Sequence, residues 1–184
     1  MDTDTVTLFF ALLAVAAQAA VVVVVVLAVG RRWSPALARA HRRVVEEVGP
    51  QALGLAAAVA AVCTGGSLYL SEVAGFPPCR LCWYQRAAMY PLALVLAVAA
   101  WRRLHRLRPL VAAVAVVGGA VSIYHLLVER YPSLETTSCD PDNPCSIIWV
   151  ERFGYLTIPA MALSGFALIV ALVALARPSA QEAP

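Results

Sequence analysis

Residues 77–86 read PPCRLCWYQR. Two cysteines, Cys79 and Cys82, stand two residues apart behind a proline pair, and an aromatic pair and an arginine follow. Apolar runs lie on both sides, so the stretch sits where a membrane helix begins. If it forms the first turn of that helix, Cys79, Cys82 and Arg86 fall at i, i+3 and i+7, along one stripe. A thiol there meets the positive end of the helix dipole, and a nearby cation adds to it. Both favour the thiolate, the nucleophile of disulfide exchange. On this reading Cys82, one turn from Arg86, is the better placed sulfur.

The surrounding sequence is that of a membrane protein. The 184 residues are 61% hydrophobic and 14% charged, with a mean hydropathy of +0.78. A span needs about 20 mostly apolar residues, and five runs qualify: 6–30, 53–70, 81–101, 109–128 and 156–176. The first is too long for a signal-peptide core and is preceded by Asp2 and Asp4 instead of basic residues, so it reads as a retained helix. The expected fold is all-α and polytopic: a four-helix transmembrane bundle (51–184) preceded by one additional N-terminal transmembrane helix and an Arg-rich loop (1–50).

All 14 basic residues are Arg, and the net charge is only +3. Without a long basic run, nucleic-acid binding is not expected. Ten of the 14 fall on one side of the spans: Arg31, Arg32, Arg39, Arg42, Arg43, Arg102, Arg103, Arg106, Arg108 and Arg177. Arg flanking spans marks the cytoplasmic side. The expected topology is therefore multi-pass in the cell inner (cytoplasmic) membrane, with the C-terminus in the cytoplasm. The N-terminus and both cysteine loops, 71–80 and 129–155, lie outside.

Cys139 and Cys145 sit in TSCDPDNPCS, where Asp140-Pro141 and Asn143-Pro144 impose turns that bring them within disulfide reach. So turn-rich a loop is expected to make few apolar contacts and to be mobile. The cysteine pattern leaves two readings open. One is a redox relay; the other is a metal-binding or purely structural membrane protein with two disulfide clips. No metal is expected, because the pairs flank separate helices. Cys63, in mid-span, reads as a small buried apolar residue.

Other residues each carry two readings. Arg86 is either an anchor reaching for the interface or a cation aimed at a thiolate or a polar ligand head. His125, in SIYHLLVER, is either a packed histidine or an ionisable functional group. Trp83, Tyr84 and Tyr90 suit an interfacial aromatic belt. Pro91 frees the carbonyl of Ala87, and a kink there would open a gap for a flat ligand. Gly118 and Gly119 permit close helix approach. IIWVERFGY, 147–155, is expected to lie along the outer surface as an amphipathic segment.

CRLCWYQR with MYPLAL, SIYHLL, and SCDPDNPC followed by FGYLTIP resemble the DsbB/BdbC family of quinone-dependent thiol oxidases, over about residues 53–176. The resemblance implies an electron path of the kind that keeps the bacterial periplasm oxidising. Electrons would pass from an extracytoplasmic thioredoxin-fold thiol oxidase to Cys139 and Cys145, then to Cys79 and Cys82, then to a membrane quinone (ubiquinone or menaquinone). It implies that the partner attacks Cys139, that Cys145 exchanges with Cys79, and that Cys82 faces the quinone, with Arg86 and His125 at the cofactor. Gln85 stands where some members have Glu. A vitamin K epoxide reductase-like oxidase has a similar bundle, but there the loop pair precedes the CxxC; here the CxxC comes first.

Overall fold

The computed structural model describes residues 2–136, 139–140 and 142–177. Pro141, part of one expected turn, and the extreme C-terminus lie outside them. Six helices follow in order: α1 Thr3–Gly30, α2 Pro35–Val48, α3 Ala52–Leu68, α4 Arg80–Trp101, α5 Arg108–Arg130 and α6 Ile158–Leu175. A π-helical turn, Tyr69–Val73, ends α3. Two short antiparallel strands, β1 Glu151–Arg152 and β2 Leu156–Thr157, precede α6. Among the described residues five helical segments are long and apolar enough to cross a membrane, matching the five expected runs. The protein is an all-α, multi-pass membrane protein.

α3 to α6 form the bundle. Ala52, Ala56 and Ala60 recur every fourth residue on α3 and are wholly buried, so that face has no bulk to hold its neighbours away. The core continues through Leu92 and Leu96 of α4, Val111 and Ala115 of α5, and Phe166 and Ile169 of α6. Pro91 is accommodated within α4, which runs unbroken past it. Gly118 is the close approach expected of it: a Cβ there would come within 2.4 Å of the Phe166 ring.

The outward faces are apolar as well, with Leu94 and Val117 exposed, as suits helices solvated by lipid. α1 packs along α6 and is tied to it by polar pins. Gln18 donates to the Ser164 hydroxyl at 3.0 Å and accepts from the Tyr155 hydroxyl at 2.9 Å. Arg152 pairs with Asp4 and donates to Thr7.

One sequence expectation changes and another gains detail. The Arg-rich segment after α1 is not a plain loop but the amphipathic helix α2, with Ser34 at its N-cap and Pro35 in its first turn. Segment 147–155, expected as an amphipathic surface segment, exposes Ile147, Ile148, Trp149, Phe153 and Tyr155 and contains strand β1 of the β1–β2 hairpin. The hairpin turn takes positive φ at Phe153 (55°) and Gly154 (73°), and the Tyr155 N–H bonds the Arg152 carbonyl.

The spans place four of the five cysteines at one end and most arginines at the other. At the arginine end Arg108 donates to the carbonyls of Val173 and Ala174, at 3.0 and 3.3 Å. These are carbonyls that the end of α6 leaves without helical partners. Gly49, between α2 and α3, packs so tightly on this end that a Cβ would lie 2.9 Å from the Leu175 carbonyl oxygen.

Replacing Gly118 with Val forces atoms into the Phe166 ring. Overpacking of this kind costs roughly 1–3 kcal/mol, so Gly118→Val is expected to lower the thermal midpoint in detergent. Gly54→Ala, whose Cβ meets nothing within 4 Å, is expected to leave it unchanged or raise it.

Candidate functional site: two cysteine pairs at a helix mouth

Pro77 and Pro78 deliver the chain extended to Cys79, because the position before a proline avoids the helical region. Cys79 then serves as the N-cap of α4, with φ −69° and ψ 173°. Its sulfur takes the place usually held by a Ser or Asp oxygen and accepts the Cys82 backbone N–H at 3.3 Å. The Cys82 Sγ lies 3.0 Å from the Cys79 Sγ, and both are free thiols. The sequence favoured Cys82 as the thiolate; the structure gives the helix N-terminus to Cys79. The Cys79 thiol is lowered to about 4, chiefly by its hydrogen bond with the Cys82 thiol. Burial opposes this, while His125 and the Cys82 N–H reinforce it.

His125 is buried on α5. Its Nε2 stands 3.0 Å from the Cys145 carbonyl oxygen and 3.7 Å from the Cys79 sulfur. A carbonyl only accepts, so Nε2 carries a proton. Its Nδ1 stands 3.5 Å from Nε2 of Gln85. The ring therefore sits between the two cysteine pairs. It does not line the large cavity described below, where the family resemblance had set it beside Arg86.

Cys139 and Cys145 form a disulfide. They are 9% and 1% exposed, and pack in one cluster with Cys79, Leu81, Val128, Cys82 and Tyr124. The expectation of a loop with few apolar contacts is not met. Its anchor is Glu135, whose carboxylate accepts the Cys145 N–H and the Ser146 hydroxyl. Further ties join it to the segment before α4: Asn143 donates to the Pro77 carbonyl at 3.5 Å, and Phe76 stacks on Trp149 at 5.5 Å.

Arg86 is buried and does not reach out to the interface. Its Nε and Nη2 donate to the Ser67 hydroxyl and carbonyl, each at 2.9 Å, and Tyr90 donates to the same hydroxyl at 3.3 Å. The guanidinium also lies 5.2 Å from the Trp83 ring centre. Cys82, Gln85, Arg86, Tyr90 and Ser67 line one end of a cavity of about 540 Å³ between α1, α3, α4 and α6. That volume is in the range of small-molecule sites, and the rest of the lining is almost wholly apolar. Cys63 also lines it, half-buried against Gly165.

Sequence reasoning missed Ser67, Glu135 and Glu129. Ser67 is one polar residue in an apolar run. Glu135 gave no motif. Glu129, one turn beyond His125, accepts from the Thr157 hydroxyl at 2.7 Å beside the cysteines; the sequence marks it only as the first residue of the outer loop.

The class this site defines is that of membrane oxidoreductases that form disulfides. The family model "Disulfide bond formation protein DsbB" matches residues 49–176, and the chain belongs to that family. Disulfide bond formation protein C of Bacillus subtilis (strain 168) is 39% identical over 125 residues, which cover 67% of this chain and 91% of the relative. Probable disulfide formation protein C 1 of Bacillus anthracis is 37% identical over 109 residues, 59% of this chain and 78% of the relative. A probable disulfide formation protein of Oceanobacillus iheyensis is 39% identical over 109 residues, 58% and 75%. No solved structure matches.

A lowered pKa keeps Cys79 ionised until the pH falls through about 4. Thiolate absorbance of the protein with Cys79–Cys82 reduced, taken as the difference from Cys79→Ser, is expected to stay flat across neutral pH and drop only there. An ordinary thiol would instead titrate near about 8.5. His125→Phe removes the Nε2–H donor beside the Cys79 sulfur, and is expected to move the midpoint up by at least about one pH unit.

Proposed function

We propose that this protein is a thiol:quinone oxidoreductase of the membrane that reoxidises an extracytoplasmic thioredoxin-fold dithiol oxidase, and so supports disulfide formation. The observation that carries the reading is the joining of three things at one helix mouth. A loop disulfide packs against the Cys79–Cys82 dithiol, and Cys82 in turn lines an apolar cavity that reaches into the span.

The partner's thiolate attacks Cys139 and Cys145 leaves. The partner's second thiol closes its own disulfide, releasing the reduced loop pair. Cys145 then exchanges with Cys79 of the oxidised helix-mouth pair, so the loop disulfide is restored and Cys79–Cys82 becomes a dithiol. A membrane quinone, ubiquinone or menaquinone, supplies the sink for the two electrons and two protons released when Cys79 and Cys82 close again. The cavity suits such a group: an apolar volume with Arg86 and Gln85 as donors at the end that holds Cys82. Arg86 would hold a quinone oxygen, and His125 would hold the loop carbonyl and steady the Cys79 thiolate. We assign residues 51–184 to this oxidase bundle and 1–50 to an N-terminal extension, a division supported by the match over 49–176.

A second reading has one observation in its favour. The donor atoms of Cys79, Cys82 and His125 lie within 4.8 Å of one another, close enough to share a metal ion. Anaerobic mixing of the reduced protein with quinone separates the two. Loss of thiols with formation of quinol is expected; zinc bound stoichiometrically with no thiols lost would support the metal site instead. In the same assay Cys82→Ser is expected to abolish quinone reduction, and Cys63→Ala to keep it. Arg86→Met removes a charged hydrogen bond of about 1.5–3 kcal/mol, which should raise the quinone KM roughly 10- to 100-fold. Arg86→Lys should rescue part, since an ammonium keeps the charge but not the planar fork. Wild-type quinone dependence in Arg86→Met would remove Arg86 from the site.

The orientation proposed is N-terminus and cysteine loops outside the cell inner membrane, with the arginine end in the cytoplasm. A membrane-impermeant thiol reagent is expected to reach a cysteine introduced at Ser34 only after lysis. Labelling in intact cells would invert the topology.

A further inference from the structure

The family match begins at residue 49, so it leaves α1 without a role. Yet Leu13, Ala14, Ala16 and Ala17 of α1 line the same cavity as Cys82 and Arg86. On α3 and the turn that ends it, the lining runs from Leu55 to Ser71. At 1.5 Å per residue that is about 24 Å, most of the roughly 30 Å hydrocarbon core. The polar groups gather around Cys82, Gln85, Arg86 and Ser67, and the remainder is almost entirely apolar. One substituted ring would occupy the polar end and leave most of that length empty.

α1 is held in register by the Asp4–Arg152 pair and by Gln18, which bonds both Ser164 and Tyr155. It meets α3 where Phe10 sits over Gly66, so closely that a Cβ on that glycine would lie 3.0 Å from the ring. Without α1, the faces of α3 and α6 that line this space would form an open groove towards the lipid.

We infer that α1 is a wall of the site, and that it holds the polyprenyl tail of the quinone whose ring lies at Cys82 and Arg86. This rests on the thiol:quinone reading above. It makes the N-terminal helix a determinant of tail-length preference: a long tail gains contact along Leu13–Ala17, and a short one does not reach it. Ala16 faces the cavity and is exposed rather than packed into the α1–α6 contact, so a large side chain there fills the cavity without disturbing that seam.

The test uses the full-length protein in lipid nanodiscs and two readouts. The first is photolabelling with a quinone that carries a diazirine at the end of a decyl tail. Label is expected on α1 within residues 10–17 and is expected to vanish under excess unlabelled long-tail quinone. Label confined to α3, α4 and α6 overturns the inference. So does α1 label that survives the competitor, because the helix would then be reporting its lipid-facing side or a lipid chain in the cavity. The second readout is KM. Ala16→Trp is expected to raise it about tenfold for a long polyprenyl quinone, the value of a few buried methylenes, and to leave it unchanged for a quinone with a single isoprene unit. An unchanged ratio of the two constants overturns the inference. If the variant does not fold, the wild-type photolabelling decides alone. Failure of the wild-type protein to reduce either quinone would instead overturn the thiol:quinone reading itself.

Discussion

Nε2 of His125 stands 3.0 Å from the Cys145 carbonyl and 3.7 Å from the Cys79 sulfur. One ring thereby fixes the distance between a loop on the water side and a dithiol at the edge of the apolar core. The buried carbonyl needs a donor, and a buried imidazole needs partners at both nitrogens. The loop can therefore settle in few places. Glu135 secures its backbone from within, while Asn143 and Trp149 secure it to the segment before α4. Four sulfurs then share one cluster, although the two pairs come from segments separated by all of α5.

His125 and Arg86 serve the two sides of the helix-mouth pair. His125 approaches Cys79 from the loop side, where the α4 N-terminus already favours negative charge. Arg86 lies on the cavity side with Cys82, and its fork is braced by both oxygens of Ser67. The bracing matters because a buried guanidinium with too few acceptors is costly. Ser67 stands next to the π-helical turn that ends α3, a kind of turn common at functional sites.

The spans were legible because lipid imposes length and apolarity on every crossing segment, and no other segment of this chain meets both conditions. The CxxC was legible because its spacing matches the helix period and a proline pair marks the helix start. Helix α2 was missed although Ser34, Pro35 and Gly49 are ordinary start and stop signals; the arginines were counted for orientation, and the period of Leu37, Val44 and Val48 went unread. The hairpin at Phe153-Gly154 was missed because 147–155 was read for its amphipathic composition, and the turn signal of Gly154 went unread. Ser67 and Glu135 lay beyond sequence reasoning for a different reason. Each acts through one long-range contact, Ser67 with Arg86 and Glu135 with a loop backbone N–H. No local pattern encodes such a pair.

In the proposed relay the burial of the loop disulfide also orders the exchange. Cys145 is 1% exposed and faces His125 and the helix mouth through its own carbonyl, whereas Cys139 retains 9% exposure at the rim of the cluster. An attacking thiolate must approach along the line of the S–S bond, and Cys139 is the more exposed member of the pair. Attack there expels Cys145 as the leaving thiolate beside His125, a cation-capable ring that also touches Cys79. The leaving sulfur is thus released next to the sulfur it must attack. In that relay the buried member of the loop pair would pass electrons onward, and the more exposed member would receive them.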